Sequence, residues 1–150
     1  MNGAHLHLIV NHVSLFAIVI GACVLAASMI LKSAELRFLA TIMFVIAGVF
    51  GWIGVESGEG AADVLKALGG DSDPFIKEHA QAATFAQISG IVVAVLAIGM
   101  EVAVRKKEKW VKPLQWVLLI LAIHGCTVFG RTAFLGGLIR HSEIRSNSIQ

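Results

Sequence analysis

Three of the six histidines, His5, His7 and His12, fall within eight residues at the start of the chain. They stand at the mouth of a long apolar run, where an imidazole is costly beside hydrocarbon and useful as a metal ligand. Carboxylates and further histidines recur later: Glu56, Glu59 and Asp63, then Glu78 and His79, then His141 and Glu143. Imidazole nitrogen and carboxylate oxygen without thiolate suit zinc, copper, iron or manganese better than an iron–sulfur cluster. The chemistry these residue types support is that of a non-haem metal centre, redox or hydrolytic.

Spacing refines the candidate ligands. Glu56, Glu59 and Asp63 lie at i, i+3 and i+7 and share a face if one helix carries them all. Glu56 and Glu59, one turn apart, suit bridging or flanking a pair of ions. His5 and His12 are seven apart on one face, whereas His7 lies well round from both in a regular helix. The expected ligands are His5, His7, His12, Glu56, Glu59, His79 and His141, with Asp63, Glu78 and Glu143 as further candidates. These exceed what one tetrahedral ion requires, so a site of two or three ions is expected. Asn11 and Arg131 are expected to support it from behind, with Arg131 paired to Glu56 or Glu59. His124, alone in mid-span, reads as a hydrogen-bonded structural residue. Any single member of this set also fits a solvated helix end; the cluster is the signal.

The elements that must position these groups are membrane spans. The 150-residue chain is 57% hydrophobic, with a mean hydropathy of +0.80, against roughly 45 to 50% apolar residues in soluble proteins. Four stretches, about 8–31, 38–57, 78–104 and 113–139, are long enough for a bilayer core that takes about 20 helical residues. No Lys or Arg precedes the first, and its apolar run is too long for a signal peptide, so it reads as a retained helix. The sequence therefore predicts an all-α membrane protein: one domain over 1–150, an antiparallel up-and-down four-transmembrane-helix bundle.

Connections and charge set its orientation. The link around Lys32 to Arg37 is short enough to force the second helix back beside the first. Asp73 and Pro74 read as the N-cap and first turn of the third helix. The 1–2 and 3–4 connections carry seven basic residues, Lys32, Arg37, Arg105, Lys106, Lys107, Lys109 and Lys112. The other side has four, Lys66, Lys77, Arg140 and Arg145, among many acids. The positive-inside rule then puts both termini and the candidate ligands outside. A net charge of +2, confined to the ends of apolar runs, gives no reason to expect nucleic acid as a partner. Cys23 and Cys126 fall inside spans and read as small apolar residues. Gly48, Gly51 and Gly54 form a stripe that permits close helix packing, inside the bundle or between protomers of a homo-oligomer. Gln81, Thr84 and Gln87 read as a polar stripe facing the interior.

His5-Leu-His7-Leu-Ile-Val-Asn11-His12, Gly58-Glu59-Gly60-Ala61, Glu78-His79 and Gly136-Gly137-Leu-Ile139-Arg140-His141-Ser-Glu143-Ile144 together resemble the motifs of a family of small bacterial four-span membrane proteins of unknown function. The resemblance covers nearly the whole chain. It implies a four-helix bundle, focuses attention on those His and Glu positions and brings no activity with it. With the orientation set by the basic residues, the expectation is a multi-pass protein of the bacterial inner membrane with its site on the periplasmic side. Besides the metal centre, with a periplasmic or membrane redox partner, two other functions are weighed. One is a b-type haem protein using His12 with His79, or a pair including His124; the wealth of carboxylates speaks against it. The other is a non-catalytic subunit or a metal or proton carrier, for which the inner half offers few polar residues beyond Gln115.

Overall fold

In a computed structural model, which describes residues 3–69, 74–141 and 145, the chain forms five helices in the order α1 (Gly3–Leu31), α2 (Ala34–Glu56), α3 (Gly58–Ala67), α4 (Pro74–Arg105) and α5 (Val111–Arg140). No strand occurs among the described residues. α1 packs against α2 and α5, and α4 packs against the same two, so the long helices close a square. This is the expected all-α, four-helix bundle.

Local chemistry accounts for the turns. Lys32 ends α1 with a φ of +52°, and Ser33 caps α2 by accepting a hydrogen bond from the Leu36 amide at 3.1 Å. Lys107, with a φ of +56°, serves the α4–α5 link in the same way. Pro74 is the first residue of α4, where its missing N–H costs nothing; the proposed cap Asp73 lies outside the described residues. At the other end of α2 the helix does not run on through the glycines. Ser57 bonds its amide to the Ile53 oxygen and closes α2, then α3 starts at Gly58. α3 lies against the start of α1: a Cβ on Gly3 would come within 2.7 Å of the Gly60 carbonyl.

Lipid-facing helices gain little from hydrophobic segregation, so close packing must hold them together. Gly48 and Gly90 provide it between α2 and α4, since a Cβ on Gly48 would lie 3.1 Å from the Gly90 oxygen. Gly51 faces the Phe129 ring and Gly54 faces Asn11. The glycine stripe is thus used inside the bundle. Toward the end with the short connections, Leu25, Phe44, Met100 and Leu118 fill the axis with no exposed surface. Across that end Arg37 Nε donates to Glu101 Oε1 at 3.0 Å, an ion pair with both side chains mostly buried. A second, smaller core at the opposite end joins Phe75, Ala82, Leu135 and Leu138. The outer surface displays Phe16, Ile30, Phe85, Val95, Ile120 and Phe134, an apolar coat that water would not tolerate and lipid would.

The polar stripe departs from expectation. Gln81 and Thr84 are exposed, and only Gln87 turns inward. Residues three apart drift about 60° per step around a helix of 3.6 residues per turn, so the three do not share a face.

Candidate functional site

At the end of the bundle that holds α3, two histidines meet. His7 on α1 and His79 on α4 are both half-buried, their rings edge to face with centroids 6.0 Å apart. His79 reaches Thr132 on α5, its Nδ1 lying 2.9 Å from the main-chain oxygen. A carbonyl only accepts, so Nδ1 carries the proton and Nε2 keeps its lone pair. Gly136, one turn further along α5, makes room for the ring: a Cβ there would approach His79 Cε1 to 3.1 Å.

His7 is held from two sides. Its Nδ1 is 3.0 Å from Ser57 Oγ, and Asn11 Nδ2 donates to its Nε2 at 2.8 Å. Ser57 spends its own hydroxyl proton on the Gly54 oxygen, leaving its oxygen to accept. With the Asn11 amide donating to Nε2, the proton of a neutral ring must sit on Nδ1. Both rings therefore take the same tautomer, each tied through Nδ1 to a protein oxygen, with Nε2 as the basic nitrogen. That arrangement orients imidazoles that bind metals through Nε2.

The other candidates are not gathered in. His5 and His12 are exposed, and His12 Nδ1 bonds back to the Leu8 oxygen of its own helix at 2.6 Å. Seven residues apart, they share an outward face while His7 turns in. Glu56, Glu59, Asp63 and Glu78 are all exposed, and Asp63 lies 3.9 Å from Lys66 in an exposed pair. His141 is exposed too, and Glu143 lies outside the described residues. Among the described residues no three His, Cys, Asp or Glu side chains are grouped to hold an ion. The expected ring of ligands drawn from every helix is reduced to two imidazoles. On α1 the reason is rotation, which turns His5 and His12 outward and His7 inward. On α2 it is the break at Ser57, so that Glu56 ends one helix while Glu59 and Asp63 belong to the next.

Arg131 is exposed, and it does not pair with Glu56 or Glu59: the ion pairs among the described residues are Arg37–Glu101 and Asp63–Lys66. Its neighbour Thr132 takes the inward position on α5, about 100° round the helix. His124 is also exposed, far along α5 from the histidine pair. Sequence reading placed Gln87 toward the interior but assigned no part in the site to Ser57, Thr132 or Gly136. For two of these a signal was present, since Ser57 directly precedes the Gly58-Glu59-Gly60-Ala61 motif and Gly136 is the first of the Gly136-Gly137 pair.

Below the pair, on the bundle axis, a cavity of ≈ 50 Å³ is bounded by all four long helices. Asn11 and Thr132 line it while also holding the two rings.

Four helices long and apolar enough to cross a membrane, an apolar coat and a polar site within one end of the bundle define a multi-pass membrane protein. No protein-family model matches the chain, and comparison with curated proteins and with solved structures finds no match.

Proposed function

We propose that this chain is an integral membrane metalloprotein whose ion is bound by His7 and His79, on the outer face of a bacterial inner membrane. The observation that carries this is the matched anchoring of the two rings. Two imidazoles on different helices are each locked through Nδ1, at 3.0 Å to Ser57 and 2.9 Å to Thr132, and their rings lie 6.0 Å apart. Imidazole suits zinc, copper and iron alike. With two protein ligands, the remaining positions fall to water, an incoming ligand or the exposed carboxylates Glu56 and Glu59 after a side-chain rearrangement. A bound divalent ion would supply a Lewis acid or redox centre, lowering the pKa of its water to about 7 in favourable sites.

The residues of the chain have defined tasks in this reading. Ser57 and Thr132 orient the rings, and Gly136 leaves space for one of them. Asn11 occupies His7 Nε2 until an ion takes its place. The basic residues at the short connections support the outward orientation of the site, and a periplasmic or membrane redox partner would approach from that side.

Haem b is less well supported as occupant. The cavity of ≈ 50 Å³ beside the pair is small against the roughly 300–1,000 Å³ of pockets that hold organic ligands. A carrier is less well supported as well, because Leu25, Phe44, Met100 and Leu118 close the axis toward the other side. The test is elemental analysis with an absorption spectrum on protein purified without chelator. We expect a stoichiometric transition metal and no Soret band, with the metal lost in the His7→Ala, His79→Ala double variant and kept in the His5→Ala, His12→Ala one. Metal-free wild-type protein would reject the proposal.

A further inference from the structure

The cavity below the histidines has a polar wall made by Asn11, Ser14, Gln87 and Thr132, one from each of α1 and α5 beside one more from α1 and one from α4. Three of these have their protons placed. Asn11 donates to His7, Ser14 Oγ donates to the Asn11 oxygen at 3.0 Å, and Thr132 Oγ1 donates to the Val128 oxygen at 3.0 Å. Gln87 is different: it is half-buried, it lines the cavity, and its amide makes no hydrogen bond among the described residues. Eight residues beyond His79, it lies about 12 Å deeper along α4. No buried side-chain nitrogen or oxygen among the described residues lacks a partner, so the Gln87 amide is accessible to the space beside it. Inside an apolar bundle its two donors and one acceptor need polar company.

Size and chemistry narrow what satisfies it. A water needs a cavity of about 10–15 Å³ and two to four polar partners, and ≈ 50 Å³ with four polar side chains meets both conditions. An organic ligand has no room. A nonpolar gas would fit and leave the Gln87 amide unsatisfied. On the side away from the histidines Gly51 and Gly90 pack against the Phe129 ring, where a Cβ on either would lie 3.3 or 3.2 Å from its Cζ. The space adjoins the histidines through Asn11 and Thr132, which line it and hold the two rings.

We propose that this cavity is a binding chamber for water or a polar molecule of water's size, anchored by Gln87, and that it serves the His7 and His79 centre. The assignment of a role to the chamber rests on reading that pair as a metal centre; its hydration does not. Molecules held there are within one hydrogen-bonding residue of either ring, and larger substrates are excluded. Water or a similarly small hydrogen-bonding molecule is then the substrate class of the centre.

X-ray radiolytic footprinting of the full chain in nanodiscs tests this, because a bound water converted in place to hydroxyl radical oxidises its neighbours. Phe129, in the chamber wall, and Phe44, in the closed core, are both buried, at 5% and 0% exposure. We expect Phe129 to be oxidised several-fold faster than Phe44, and the excess to vanish in Gln87→Leu. Equal slow oxidation of both rings in wild-type protein would overturn the chamber, and this comparison needs no variant to fold. A metal inventory on the same samples separates the two readings. Metal present with Phe129 protected sinks the chamber alone. Phe129 oxidised in protein that binds no metal sinks the centre and with it the chamber's substrate role.

Discussion

His79 Nδ1 bonds the main-chain oxygen of Thr132 at 2.9 Å, across the α4–α5 interface, so the ring enters the site with its basic nitrogen already chosen. A main-chain acceptor cannot be removed by side-chain substitution, so the His79 position is tested at the histidine itself. His79→Ala should therefore abolish metal binding, whereas His5→Ala, His12→Ala and His124→Leu should leave stoichiometry unchanged. Isothermal titration with zinc or copper on each purified variant checks this.

Opposite signs are expected at the two side chains that hold His7. Ser57→Ala removes the acceptor for Nδ1–H and frees the ring to rotate, and loss of such a supporting contact costs about 10–100-fold in affinity. Asn11→Ala removes a donor from the ligating nitrogen itself. An ion must displace that bond, whose net worth is about 0.5–1.5 kcal/mol, so the variant should bind metal up to about tenfold more tightly. Competition against a chromophoric chelator reads both. Equal weakening by the two substitutions would mean that Nε2 of His7 is not the ligand.

Glycine substitutions divide by position. A Cβ on Gly54 would stand 2.8 Å from Asn11 Oδ1, and one on Gly48 would press on Gly90 and Ala94 of the facing helix, whereas Gly99 and Gly130 have nothing within 4 Å. Gly48→Ala and Gly54→Ala should lower the melting temperature in detergent. Gly99→Ala and Gly130→Ala should be neutral or stabilising, by up to about 1 kcal/mol of helix propensity. Thermal unfolding followed by circular dichroism distinguishes the two groups.

Glu101 is held by Arg37 at side-chain exposures of 14% and 16%. Breaking one partner of a fully buried pair costs about 3–5 kcal/mol, and an exposed pair is worth about 0–1 kcal/mol. Glu101→Leu alone should fall between these limits and destabilise, because it strands the guanidinium near the apolar core. The Arg37→Leu, Glu101→Leu double variant should recover most of the loss, as measured by the same melts.

The histidine spacing shows how far local sequence reaches. His5 and His12, seven apart, were expected on one face with His7 well round from them, and the helix does turn the first two outward and His7 inward. What the spacing left open was which face looks at the bundle. The acids at 56, 59 and 63 would have shared a face only in an unbroken helix, and Ser57 caps one helix and begins another. Glu101 was overlooked because it sits inside an otherwise apolar run, where its meaning depends on Arg37, 64 residues away.

By itself the sequence determined four apolar helices, their antiparallel order and the sites of their turns, because span length, caps and short basic links are local properties. Only the tertiary structure decided that His7 and His79 meet while the other described candidates, His5, His12, Glu56, Glu59, Asp63, Glu78 and His141, are exposed. The reason lies in the solvent: a helix apolar on every side carries little hydropathic record of which side faces its neighbours. Its rotation is set instead by where Gly48, Gly54, Gly90 and Gly136 let another helix or ring come close, and that is a property of pairs of surfaces.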